Sequence, residues 1–128
     1  MSNFGYLSNS QQFGLFAQAC IDAENAFAVS TSMCAVGCRK ALELAVKWVY
    51  AADSCMRMPY RDNLQSLVHE ATFKDSMDRT TWSRIQPVIR LGNVAVHTER
   101  RISPQDAMFS LRCLFDIVQW VDYCYGTA

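Results

Sequence analysis

The sequence predicts an all-α domain, an antiparallel bundle of about five helices, and three observations predict it. Apolar residues recur at three- and four-residue steps in successive segments. Residues that favour helix ends stand at the segment boundaries. No stretch sustains the apolar–polar alternation of a strand, and there is no internal repeat or low-complexity run. At 128 residues, 51% of them hydrophobic, residues 1–128 are the usual size for one domain and long enough to bury a core.

The first helix is expected from about Gln11 to Ala28, with Phe13, Phe16, Cys20, Ala23 and Phe27 as its stripe and Ser10 as its cap. The cluster Val29-Ser30-Thr31-Ser32 ends it and offers caps for the second helix, about Ser32 to Ala52. There Ala35, Cys38, Leu42, Ala45, Val46 and Val49 build one apolar face. Arg39, Glu43 and Lys47 follow at four-residue steps on the other side, where opposite charges support a helix. Pro59 marks a connection. A short third helix, about Asp62 to Ala71, uses Leu64, Leu67 and Val68, and the polar stretch Lys74 to Asp78 separates it from the fourth. The fourth, about Arg79 to His97, turns Trp82, Ile85, Ile89 and Val96 inward. It also contains Pro87 and Gly92, so a kink or break near residues 87–93 is expected. Ser103-Pro104-Gln105-Asp106 opens the fifth helix with a cap, a first-position proline and an acid in the first turn. Its stripe is Met108, Leu111, Leu114, Phe115, Val118 and Val121, and Gly126 ends it as a C′ glycine.

Composition narrows the functional classes. Charged residues at 19% exclude disorder, and no run approaches the roughly 18 apolar residues that a membrane span needs. The N-terminal residues have no basic region or apolar core of an export signal, so a cytoplasmic location and no membrane partner are expected. The six cysteines form no CxxC pair, and only His69 and His97 could complete a zinc site. They read as core thiols rather than metal ligands, and no cofactor is expected. Net charge is zero, yet residues 79–101 hold five arginines (79, 84, 90, 100, 101) against the single acid Glu99. A solvated helix face explains such a segment as well as a binding surface does.

No phosphate loop, GxSxG elbow or HExxH is present. Attention falls on Ile89-Arg90-Leu91-Gly92-Asn93-Val94-Ala95-Val96-His97. On a helix, Arg90, Asn93 and His97 line one stripe, where an arginine, an amide and an imidazole can grip a phosphate and supply an acid or base. Gly92 lets another backbone come close. Against this stands a structural reading, in which Asn93 caps or bridges helices, Gly92 permits tight crossing and His97 satisfies a helix-end carbonyl.

The helix Arg39-Lys40-Ala41-Leu42-Glu43-Leu44-Ala45-Val46-Lys47-Trp48-Val49-Tyr50 and the segment Ile89 to His97 resemble two motifs of one family. It is a helical domain of unknown function found at the N-terminus of type I restriction enzyme R subunits and in related proteins. Phe115 to Tyr125, with Trp120, is similar to that family's closing helix. The resemblance implies a HEPN-like antiparallel bundle and an N-terminal fragment of a larger R-subunit-like protein, whose motor and nuclease parts these residues do not contain.

What the resemblance implies for function divides three ways. The first is a non-catalytic accessory domain of a type I restriction-modification, DNA-restriction or defence system. It would contact DNA, RNA or another restriction-modification subunit through Arg84, Arg90, Arg100 and Arg101. The second is a HEPN-type, metal-independent endoribonuclease acting as a homodimer. There His97 helps activate a ribose 2′-hydroxyl, Arg90 stabilises the phosphorane charge and Asn93 orients them. In active HEPN members the residue after the arginine is usually polar, and here it is Leu91. The third is a helical module whose polar motif only shapes the bundle.

Overall fold

The computed structural model describes residues 4–6, 13–98 and 100–126. Among them the chain is all-helical and contains no strand. The helices are α1 (Gly14–Ala26), α2 (Thr31–Ala52), α3 (Leu64–His69), α4 (Ala71–Ser76), α5 (Arg79–Ser83), α6 (Ile85–His97) and α7 (Pro104–Tyr125). The expected cap Ser10 and a first turn from Gln11 lie outside the described residues. Gly14 opens α1 at φ +36, in the half of conformational space that glycine enters without a Cβ penalty.

α2 is the central element, with α1, α6 and α7 all packed on it. Ser30 caps it by accepting from the Met33 N–H at 3.2 Å. All six residues of its expected stripe, from Ala35 to Val49, are buried. α1 crosses closely because position 37 is glycine: a Cβ there would lie 3.0 Å from the Ala23 Cβ. α7 runs beneath, capped by Ser103, whose Oγ accepts from Asp106 N–H at 3.0 Å. Its buried set is Ala107, Ser110, Leu111, Cys113, Leu114, Ile117, Val118 and Val121. Met108, expected inside, is 43% exposed. Gly126 follows α7 in an extended conformation, φ −70 and ψ 147, not as a left-handed C′ residue, and its N–H bonds to Asp122 O.

The region between α2 and α7 departs most from expectation. The third helix is two short ones, and the stretch expected to separate it from the fourth is largely the helix α4. The fourth is also two, and the break falls at Arg84 instead of residues 87–93. Pro87 is the third residue of α6, where its missing N–H would have had no partner within the helix. Side-chain caps from Asn63, Glu70 and Asp78 open α3, α4 and α5. Tyr50 Oη donates to Leu67 O at 2.7 Å and Trp82 Nε1 to Val68 O at 2.9 Å, which fastens these short elements to the bundle.

Cys20, Cys34, Cys38 and Cys113 are buried, while Cys55 and Cys124 are exposed. Burial pushes the Cys20 thiol up to about 12. Cys38 moves up as well, because it is hydrogen-bonded to Cys34 and buried. Among the described residues no three His, Cys, Asp or Glu side chains gather as a metal cage, and no helix is long and apolar enough to cross a membrane.

Candidate functional site

α6 has two unlike sides. Ile85, Val88, Ile89 and Gly92, at i, i+3, i+4 and i+7, face the bundle and are buried, with Leu91 beside them. Gly92 is the point of closest approach to α2. A Cβ added there would meet Arg39 Cβ at 2.5 Å, Arg39 Cδ at 2.8 Å and Ala35 O at 3.2 Å. The expectation that Gly92 admits a close crossing therefore holds. Arg39 lies along the crossing instead of pairing with Glu43, which takes Lys47 at 2.9 Å. Val96, expected inward, is 54% exposed in the last turn of α6, where no residue after Gly92 is buried.

The other side carries Gln86, Arg90, Asn93 and His97. Arg90 and His97 are exposed and Asn93 is half-buried. Gln86 exchanges hydrogen bonds with Gln65 of α3, at 3.0 and 3.2 Å. A shallow groove of about 530 Å³ runs past these glutamines along Pro87, Ile89, Arg90, Asn93 and Val94. Arg90 and His97 stand roughly 10 Å apart along the axis, seven residues at about 1.5 Å each. The end of α6 is closed by Thr98, whose N–H and Oγ1 both bond to Val94 O, so that carbonyl does not rely on His97.

The four arginines expected to meet nucleic acid do not share one surface. Arg84, at the break before α6, turns towards α7. It stands 3.8 Å from an Asp116 carboxylate oxygen and lines a cavity of about 540 Å³ with Thr80, Gln119 and Tyr123. Arg100 and Arg101 are exposed in the connection beyond α6. That connection is pinned to the start of α2: Thr31 Oγ1 donates to Ile102 O at 2.6 Å and Ile102 N–H to Ser32 Oγ at 3.4 Å. Arg90, Asn93 and His97 thus line the open side of α6, Arg100 and Arg101 follow in the connection beyond it, and Arg84 turns to α7. Glu99 lies outside the described residues.

Arg39 is the residue that sequence reasoning missed. Its Nε is buried and finds no hydrogen-bond acceptor among the described residues. The signal was present as Gly92, which marks a backbone approached by a bulky neighbour, but nothing in the spacing identified that neighbour as Arg39.

No family model matches the chain, and no curated protein or solved structure is significantly similar to it.

Proposed function

We propose that this chain is a non-catalytic accessory domain of a type I restriction-modification R-subunit-like protein, and that it contacts nucleic acid through the open side of α6 and the arginines beyond it. One observation carries the reading: Arg90, Asn93 and His97 share a solvent-facing stripe. The bundle gains little from such side chains, so their use lies outside it. Arg100 and Arg101 add cationic charge past the end of the same helix. The test is titration of labelled DNA and RNA with the domain across a salt series. Salt-dependent binding weakened by Arg90→Gln supports the reading. Salt-independent or absent binding overturns it and turns attention to a partner subunit.

A second reading, the metal-independent endoribonuclease, is favoured by the same co-facial placement of Arg90 and His97. In it two copies meet across a two-fold axis, and the ribose 2′-oxygen attacks phosphorus as His97 takes its proton. The P–O5′ bond breaks with that proton passed to the 5′-oxygen to leave a 2′,3′-cyclic phosphate, and Arg90 neutralises the phosphorane. Leu91 weighs against it: at 7% exposure the side chain points into the core, away from the stripe. Incubation with RNA in EDTA decides. Cleavage lost in His97→Ala makes the chain an RNase, and equal absence of cleavage in both leaves the accessory role.

A further inference from the structure

We infer that the nucleic-acid surface continues from α6 across α2, with Arg39, Lys40 and Lys47 as its second cationic row, and that it takes the phosphodiester backbone of a duplex. The inference rests on the proposed reading of α6 and names its partner.

The geometry comes from the crossing at Gly92. The Ile102 bonds to Thr31 and Ser32 place the end of α6 beside the start of α2, so the two helices run antiparallel. Gly92 meets α2 at Ala35 and Arg39. Turning one step around each helix from that seam, with right-handed helices, brings Val36, Lys40, Glu43 and Lys47 of α2 to the same side as Asn93, His97, Gln86 and Arg90 of α6. α3 closes that side at the other end, held by Tyr50 of α2 and by Gln86 of α6.

Charge on this side is predominantly positive. Across the whole of α2 and α6 the only acid is Glu43, against Arg39, Lys40, Lys47 and Arg90. These cations hold the Glu43 carboxyl below its ordinary range, through the Lys47 hydrogen bond first and then through Lys40 and Arg39. Lys40 and Lys47 are exposed. Arg39 supplies a second, independent sign of an outside anion: its buried Nε has no acceptor among the described residues, a condition that an anion over the seam relieves electrostatically.

Two features favour a duplex over a single strand. Sequence-tolerant single-strand binders stack bases on aromatic rings. α6 contains no Phe, Tyr or Trp, and the two in α2 are turned elsewhere: Trp48 against Phe13 and Tyr125, Tyr50 onto α3. Packed helices lie about 8–10 Å apart, so α2 and α6 together present a rigid, cationic surface without Phe, Tyr or Trp, suited to the phosphodiester backbone. B-form DNA and A-form RNA share that chemistry.

The experiment is fluorescence anisotropy of the full chain with labelled duplex DNA, duplex RNA and the corresponding single strands, over roughly 50 to 200 mM salt. Lys40→Gln combined with Lys47→Gln is expected to weaken duplex binding. The slope of log affinity against log salt should fall by about 2, near 0.9 for each phosphate that is no longer neutralised. Lys40→Arg with Lys47→Arg keeps the charge and is expected to restore binding. Arg112→Gln, exposed on α7, leaves it unchanged. Wild-type binding by the double glutamine variant, with Arg90→Gln still defective, overturns this inference and leaves the reading of α6 intact. Tighter binding to single strands than to either duplex overturns the partner class. No binding to any of the four probes removes both.

Discussion

The two sides of α6 obey different rules. The packed side is apolar at every position that faces α2 or α7, and its residues are accounted for by burial. The open side holds Arg90, Asn93 and His97. One side explains why the helix exists and where it sits, and the other has no such explanation inside the fold. Polar groups elsewhere sharpen the contrast. The hydroxyl of Tyr50 and the indole N–H of Trp82 each find a backbone carbonyl and thereby hold α3 and α5 in place. A polar residue with an internal partner is part of the architecture, whereas a stripe of them facing water is available to something else.

The strongest way to break this contrast is to cut into the packed side. Ile85 is fully buried, so Ile85→Ala should destabilise the chain by about 2–5 kcal/mol, with a matching drop in the midpoint of urea unfolding. A smaller loss would mean that α6 is loosely seated. Gly92→Ala comes next. Helix propensity alone would favour alanine by about 1 kcal/mol. The new Cβ, however, meets Arg39 Cβ at 2.5 Å, and overpacking costs about 1–3 kcal/mol. Net destabilisation is expected, and Arg39→Gly in the same chain, which removes the opposing Cβ, should largely suppress it, which a double-mutant cycle measures. Additivity of the two changes would show that Arg39 is not the neighbour that requires glycine.

How much of this was legible in the sequence differs between the same kinds of region. The packed stripes of α1, α2 and α7 could be read because long helices repeat the apolar spacing over several turns, as the run from Ala35 to Val49 does. Between residues 62 and 84 the helices are five or six residues long, too short for a period to show. Their signal lay in the caps Asn63, Glu70 and Asp78, which can be read singly but are ambiguous without a stripe behind them. Pro87 misled because its meaning depends on register: inside a helix it breaks, and at the third position it starts one. The co-facial placement of Arg90, Asn93 and His97 followed from spacing alone. That Arg84 turns to Asp116, and that Arg39 leaves Glu43 for the Gly92 crossing, depended on neighbours distant in sequence.

Tyr50 tests the architectural kind of polar group. Tyr50→Phe removes its 2.7 Å bond to Leu67 O and should cost about 1 kcal/mol. The same hydroxyl predicts a pH dependence. Burial, and then the charge of Glu70, pushes its pKa up to about 12 from 10.0. With the folded value raised, the stabilisation is fully present below pH 10.0 and is lost as pH rises towards about 12. Tyr6, also raised to about 12, acts in the same window. Unfolding midpoints measured between neutral and strongly alkaline pH should therefore fall, and less steeply in Tyr50→Phe. An identical alkaline profile in the variant would separate Tyr50 from the effect.

The smallest expected change is the most diagnostic for α6. Asn93→Ala should alter stability by less than about 0.5 kcal/mol, because the half-buried amide sits in the open groove and not across a helix interface. Had Asn93 bridged two helices, its removal would strand a partner and cost about 1–3 kcal/mol. Urea unfolding of Asn93→Ala beside Tyr50→Phe distinguishes these cases in a single experiment. A loss as large as that of Tyr50→Phe would move Asn93 to the architectural class. It would also reduce the open side of α6 to Arg90 and His97, which stand too far apart along the helix to make a shared site without the amide between them.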